Sequence, residues 1–132
     1  MKYSVRVRDA RLEAVHKTIG PSPHCRIYSG AVPADCASAP RGEMLVEIKL
    51  PGNWLSAAHK GTKVSSGSWT GNAIASGDAT CFRIESEEGC DVQGTAGGRD
   101  SDAELKLATK SAELVEGHVV TVETFTLKTG NA

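Results

Sequence analysis

The sequence predicts a mainly β protein, an antiparallel β-sandwich with one N-terminal α-helix. Three observations support this fold class. Apolar residues recur with helical spacing only near the N-terminus, they alternate with polar residues in several later segments, and the last of these segments changes its alternation midway. We expect the helix over residues 4–20 and the sandwich over residues 24–128. A chain of 132 residues can bury one core, so residues 1–132 are expected to form a single domain.

The N-terminal helix is predicted from three apolar residues on one face: Leu12, Val15 and Ile19. Ser4 or Asp9 is suited to cap its start, because short polar side chains accept hydrogen bonds from free backbone amides. Gly20 followed by Pro21 is typical of a helix end. One apolar stripe indicates that the helix lies against a larger structure.

After the helix, the segment HCRIYSG (24–30) favours a short strand. The next twelve residues, AVPADCASAPRG (31–42), favour an ordered loop because they contain two prolines and end in glycine. Loops of this length are uncommon unless they are functional, so residues 31–42 are a candidate contact region. A plain crossover between two sheets explains the same loop equally well.

The segment EMLVEIKLP (43–51) predicts the clearest strand of the chain. Its alternating apolar residues are Met44, Val46, Ile48 and Leu50. The following stretch places Trp54 and Trp69 among many small polar residues, which favours short strands and turns. Two tryptophans in such a stretch either stack on a ligand such as a sugar or fill the core. The preference of large aromatic side chains for burial favours the core.

The segment CFRIESEEGCDVQGTAGG (81–98) predicts a β-hairpin with its turn at residues 87–89. Two apolar residues of the first strand share one face: Phe82 and Ile84. If Val92 lies on this face too, Cys90 lies with it and Cys81 lies on the opposite face. This register disfavours a disulfide between Cys81 and Cys90.

The C-terminal part predicts further strands. Alternation from Ala103 to Leu107 indicates one strand, Glu116–Gly117 indicates a turn, and HVVTVETFTL (118–127) indicates a long strand. Apolar residues of the long strand fall on two parities: Val120 and Val122, then Phe125 and Leu127. The change predicts a β-bulge or a bend near Glu123–Thr124, as occurs where a strand crosses between the sheets of a sandwich. The final TGNA (129–132) is expected to be a frayed tail.

The four cysteines are expected to be reduced, since the charged N-terminal segment does not have the apolar core of a secretory signal. Neither a C-x-x-C pair nor an H-x-x-x-H pair is present, and the acidic hairpin tip does not follow a calcium-loop pattern. We therefore expect no metal and no cofactor.

Charge and motifs narrow the function. Lys plus Arg number 15 against 16 for Asp plus Glu, without a basic run, so nucleic acid is not an expected partner. Since no apolar run reaches membrane-spanning length, a membrane is not expected either. Recognisable catalytic motifs are absent, which favours a non-enzymatic protein. The competing hypothesis is an enzyme with a pocket lined by His24, Cys36 or His59.

Five segments carry a resemblance: RLEAVHKTIGPSPHCRIYSGAVPADCA, LVEIKLPGNWLSAA, CFRI, CDVQGTAG and VTVETFTLKTGNA. In this order they resemble a family of small virion structural proteins of tailed bacteriophages, over nearly the whole chain. The resemblance implies a head decoration (cement) protein with a jelly-roll-like sandwich, located on the capsid surface after synthesis in the host cytoplasm. It implies binding to the major capsid protein lattice and self-association as a homo-oligomer. A tail or fibre accessory protein is the alternative, followed by a ligand-binding module.

In this setting we expect the capsid contacts in the 31–42 loop and on the exposed charges of the helix. The candidate contact residues are Pro33, Asp35, Pro40, Arg41, Arg8 and Arg11.

Overall fold

The structure is a computed structural model that describes residues 1–128. Its helix, α1, spans Val5–Ile19. The Ser4 side chain caps its start by accepting a hydrogen bond from the Val7 amide at 3.2 Å, and Gly20 ends it with a φ of 85°. The predicted helix and both of its end signals are confirmed.

Ten strands follow the helix. Their bounds are β1 His24–Tyr28, β2 Met44–Lys49, β3 Thr62–Val64, β4 Thr70–Asn72, β5 Gly77–Asp78, β6 Cys81–Ser86, β7 Gly89–Gly97, β8 Leu105–Leu107, β9 Glu113–Leu114 and β10 Val119–Lys128. The chain is therefore mainly β with one helix, as predicted. The predicted tail at residues 129–132 lies outside the described residues.

Eight of the strands form one mixed sheet in the order β2-β1-β6-β7-β8-β10-β3, with β4 also paired to β10. The pairing of β7 with β8 is parallel, and the other pairings of this sheet are antiparallel. The sheet curls round the core until β2 lies beside β4, where Val46 bridges Ala73 and the Ile74 amide donates to the Leu45 carbonyl at 2.7 Å. β5 and β9 form a small separate sheet.

The curled sheet differs from the predicted architecture in its parallel pair. Residues 98–104 return the chain so that β8 begins beside the end of β7, where Ala96 is paired with Leu105. Gly98 permits this path, because a Cβ there would overlap the Lys110 carbonyl oxygen. An antiparallel sandwich of two face-packed sheets is not confirmed.

An aromatic chain runs through the core inside the curled sheet. Ring centroids lie 6.1 Å apart between Trp54 and Trp69, 5.5 Å between Trp69 and Phe125, and 5.3 Å between Phe125 and Phe82. Both indole nitrogens donate to backbone carbonyls, Trp54 to Gly20 at 2.9 Å and Trp69 to Ser66 at 3.1 Å. The tryptophans are buried core residues, as the sequence favoured.

The helix α1 packs against the β3 region with its apolar stripe and with polar anchors. Leu12 and Ile19 are buried. The Asp9 carboxylate accepts a hydrogen bond from the Gly61 amide at 2.6 Å, and Glu13 forms an ion pair with Lys63, whose side chain is 1% exposed. The polar anchors fix the helix where the sheet has an edge.

The strand pairing shifts register at three places, and two of these β-bulges fall in segments for which the sequence predicted a register or a bulge. The bulge predicted in the last strand is confirmed, because the pairing of β10 with β8 shifts between Val122 and Thr124. The predicted hairpin is also confirmed as β6 and β7. Its assumed register is wrong, however, because Ile84 pairs with Val92 whereas Glu85 pairs with Cys90.

The unpaired residue in this second bulge is Asp91. The extra residue turns Cys90 away from the face of Val92 and towards the outer face of the sheet, where Arg83 also lies. Cys90 is thereby available to a segment outside the core.

Candidate functional site

The 31–42 loop lies folded against the outer face of the β6–β7 hairpin. The Gln93 side chain donates to the Pro33 carbonyl at 2.6 Å, and the Arg83 Nη2 donates to the Cys36 carbonyl at 2.5 Å. A disulfide joins Cys36 to Cys90, with the two Cα atoms 5.3 Å apart. The candidate contact loop is therefore attached covalently and by hydrogen bonds to the sheet behind it.

The two ends of the loop are held together at its base. The Ser29 amide donates to the Glu43 carbonyl at 3.0 Å, and the Glu43 amide donates to the Ser29 side chain at 3.2 Å. Gly42 lies so close to Ser29 that a Cβ at this position would overlap the Ser29 carbonyl oxygen. Within the loop, Asp35 accepts hydrogen bonds from the amide and hydroxyl of Ser38 at 2.9 and 3.0 Å. The sequence thus holds this loop in one shape.

The structure places the predicted loop residues at different depths. Asp35 and Arg41 are exposed, Pro40 is half-buried, and Pro33 is buried against the sheet. Asp35 and Arg41 are therefore the predicted contact residues that a partner reaches directly. Pro33 supports the loop from beneath.

The two predicted helix residues also differ. The Arg11 side chain is exposed, with its guanidinium carbon 5.0 Å from the centre of the Tyr3 ring. The Arg8 guanidinium packs over the turn at Gly61, where a Cβ would contact it, and its Nε is buried without a hydrogen-bond partner. Arg11 is available for contact, whereas Arg8 helps to seat the helix.

The structure does not join the loop and the helix into one contact surface. The loop lies on β6 and β7, whereas α1 packs against β3. Within residues 1–128, no hydrogen bond or ion pair connects the 31–42 loop to α1. They are two separate candidate surfaces.

The expectation that all four cysteines are reduced is wrong for one pair. Cys36 and Cys90 are bonded. Cys81 is not bonded to Cys90, as expected, but the reason given for this is wrong, because the bulge places both residues on the outer face of the sheet. Cys25 and Cys81 are free and buried. Burial raises the pKa of the Cys25 thiol to about 12 and raises the pKa of Cys81 above its ordinary value. Burial and a raised pKa both disfavour reaction of these two thiols.

Arg83 is the main residue that the sequence pattern missed. Arg83 lies on the outer face of β6, opposite to Phe82 and Ile84, where the loop covers it and leaves it 4% exposed. Its Nε lies 3.2 Å from the Cys90 Sγ. A cysteine inside a long loop was the only sequence signal that this face is covered.

The outer face beside the loop carries a second arginine that is well paired. Arg26 of β1 lies directly opposite Arg83 of β6. The Arg26 guanidinium contacts Glu47 at 2.6 Å and Glu85 at 2.9 Å. Burial alone would lower the pKa of Arg26, but the hydrogen bonds that Arg26 donates to Glu85 and Glu47 outweigh it and raise the pKa. Two neighbouring arginines thus have contrasting surroundings.

A cavity of about 340 Å³ opens between β7, β8 and β10. Its apolar floor includes Phe82, Val92 and Phe125, and its rim includes Glu104 and Lys106. Its volume lies at the lower end of the range for small-molecule sites. No group of three or more metal-ligating side chains occurs among residues 1–128. The α1 helix, which is the one helix of those residues, falls short of what a membrane span requires.

Comparisons of the chain with models of known protein families, with curated proteins and with solved structures find no match.

Proposed function

We propose that this protein is a non-enzymatic virion structural protein, a head decoration protein that binds and stabilises the major capsid protein lattice of a tailed bacteriophage. The sequence resemblance supplies the class. The observation that carries the proposal is the 31–42 loop, which is held in one shape by a disulfide and backbone hydrogen bonds while Asp35 and Arg41 remain exposed. A preordered loop loses little conformational entropy when it binds.

Other features are consistent with this role. A formal net charge of −1 avoids unspecific binding to packaged nucleic acid. The resemblance implies a jelly-roll-like sandwich, and the structure supports only the coarser feature of a mainly β chain with one helix. Many copies on a symmetric lattice, with self-association between them, would add avidity to individually weak contacts.

The decisive experiment is immunogold labelling of intact particles with an antibody to this protein. Gold over the head supports decoration, and gold confined to the tail supports a tail or fibre accessory protein instead. An absence of gold on heads and tails would contradict a virion role.

The loop contact is tested by charge reversal. In Asp35→Arg and Arg41→Glu, we expect binding to capsid particles to fall by about tenfold or more each, since a reversed charge places like charges against each other across the interface. Arg99→Glu on an exposed turn is the matched control. Co-sedimentation with particles that lack the protein measures binding. Wild-type binding by both loop variants would remove the loop from the interface.

A ligand-binding module is the second candidate, and the cavity between β7, β8 and β10 favours it. Lys106→Glu would then change the affinity of a small ligand without affecting particle binding. A screen of small molecules by thermal shift tests this alternative. Stabilisation that Lys106→Glu abolishes would support it.

A further inference from the structure

Arg83 is a buried cation without an anionic partner. Its side chain donates to the Cys36 carbonyl and to the Cys90 sulfur, and within residues 1–128 no carboxylate forms an ion pair with it. Arg26, directly opposite on the next strand, has two carboxylates. A buried charge is costly unless it is paired. While the disulfide is formed, the cost of burying the Arg83 charge is therefore not offset by an ion pair.

The group nearest to the Arg83 Nε supplies the missing anion once it is reduced. In the disulfide, the Cys90 sulfur is a neutral and weak acceptor. As a thiolate it is a full negative charge, already 3.2 Å from the Arg83 Nε. Arg83 favours the thiolate form of Cys90, and the Glu85 carboxylate opposite Cys90 opposes it but is itself paired with Arg26. Reduction thus converts an unpaired buried cation into an ion pair.

We propose that Cys36–Cys90 is a reversible thiol–disulfide site, in which Cys90 leaves as a thiolate paired with Arg83 and reduction frees the 31–42 loop. The substrate class is a dithiol. One dithiol sulfur, as thiolate, attacks the Cys36 Sγ, the disulfide breaks, and its electron pair goes to the Cys90 Sγ. The second sulfur of the dithiol then attacks the mixed disulfide and releases Cys36, which takes up a proton. Two electrons pass from the dithiol, which becomes a disulfide.

The geometry fits each part of this exchange. Cys36 and Cys90 are half-buried and not enclosed in the core. A leaving group that is stabilised as an anion speeds the exchange. Without the covalent bond, side-chain hydrogen bonds to the carbonyls of Pro33 and Cys36 hold the loop to the hairpin, and the Gln93 Oε1 is buried there without a partner. Reduction therefore weakens the closure of the loop. This inference does not depend on the proposed function.

The first test removes the bond and measures the freed thiol. In Cys36→Ser, Cys90 is a free thiol while Cys25 and Cys81 stay buried. We expect iodoacetamide to modify Cys90 at pH 7 about tenfold faster than in Cys36→Ser/Arg83→Gln, as expected for a shift of about one pH unit in thiolate formation. Cys36→Ser/Arg99→Gln, at an exposed turn, is the matched control and should keep the fast rate. Peptide mass mapping measures the rates. Equal rates in the Arg83 and Arg99 variants would overturn the proposal.

A second measurement does not need an Arg83 variant, because replacing this buried side chain also alters the packing around it. The alkylation rate of Cys90 in Cys36→Ser is followed from pH 5 to pH 9. We expect the rate to level off below the pH of about 8.5 at which an ordinary thiol is half ionised. A rate that keeps rising beyond that pH would contradict the role of Arg83.

Loop release has its own readout in the wild-type protein. Dithiothreitol should speed amide hydrogen exchange in residues 31–42 much more than in β6 and β7, whose amides exchange only through wider unfolding. Cys36→Ser should exchange at the fast rate with or without dithiothreitol. Unchanged exchange in the reduced wild type would show that the bond does not control the loop.

Discussion

The two buried regions of this protein, one inside the curled sheet and one on its outer face, are built in opposite ways. The inner core is apolar and centres on the aromatic chain from Trp54 to Phe82, with both indole nitrogens paired. The outer region, under the 31–42 loop, centres on the charged Arg83 and a disulfide.

The two regions differ in the interactions that stabilise them. Apolar burial is roughly proportional to area and needs no particular partner. The outer region buries a cation and several backbone carbonyls, so it depends on named hydrogen bonds and on one covalent bond. The inner region should respond to loss of volume, and the outer region to redox chemistry and to changes at the base of the loop.

The largest effect is expected in the inner core. Trp54→Ala should lower the free energy of unfolding by about 3–5 kcal/mol, because it leaves a cavity next to Trp69 and removes the hydrogen bond to Gly20. Urea unfolding followed by circular dichroism measures the change. Val119→Ala, at a side chain that is 70% exposed, is the control and should change little. Similar losses in the two variants would mean that the aromatic chain is not the centre of the core.

Removal of the disulfide should have the next largest effect on stability. It closes a loop of 54 residues, for which the chain-entropy model gives about 4 kcal/mol and measured bonds give about 2–4 kcal/mol. We expect Cys36→Ala to lower the free energy of unfolding by an amount in this range, as measured by urea unfolding. Dithiothreitol should lower the stability of the wild type and leave that of Cys36→Ala unchanged. A wild type that is insensitive to dithiothreitol would refute this prediction.

The base of the loop should show a smaller effect. Gly42→Ala places a methyl group against the Ser29 carbonyl oxygen, so the backbone must move, at a cost of about 1–3 kcal/mol. Gly52→Ala is the matched control, since its Cβ would meet only the Ser22 Oγ, at 3.9 Å. Thermal unfolding of both variants compares them. Equal midpoints of thermal unfolding in Gly42→Ala and Gly52→Ala would show that the base of the loop is not tightly held.

The smallest effect concerns the ion pair of the helix. The hydrogen bond from Lys63 lowers the pKa of Glu13 below its usual value, more than burial raises it. A carboxylate with a lowered folded-state pKa stabilises the fold above its unfolded-state pKa of about 4.3, and this contribution disappears as the pH falls through the folded-state pKa.

Glu13 is about half exposed, so we expect Glu13→Gln to cost less than about 1 kcal/mol at pH 7. Its difference from wild type should vanish at low pH. Urea unfolding between pH 3 and pH 7 measures this difference, with the exposed Glu116→Gln as the control. A difference independent of pH would assign the effect to packing rather than to ionisation.

Local patterns in the sequence were enough to predict much of the inner region. The Ser4 cap, the Gly20 end and the bulge near Glu123 all follow from residues within a few positions of each other. The hairpin of β6 and β7 was equally local. Side-chain alternation then assigns the core face wherever no bulge intervenes.

The outer region could not be predicted in the same way. Asp91 carries no signal that marks it as a bulge, yet it alone decides which face Cys90 occupies. The partner of Cys90 lies 54 residues away, and spacing does not define a disulfide partner. The burial of Arg83 depends on this distant loop and not on its own strand. The parallel pairing of β7 with β8 could not be predicted either, because the alternation of side chains does not show the direction of the neighbouring strand.

The contact that closes the sheet also sets the order in which the chain can fold. β6 and β7 pair across a two-residue turn, so they can form early. β4 is paired to β10, about 50 residues later, and lies beside β2, about 25 residues earlier. During synthesis the strands up to β9 therefore emerge before the sheet can close. Pulsed hydrogen exchange should show β6–β7 amides protected before those of β4, and the reverse order would refute this sequence of events.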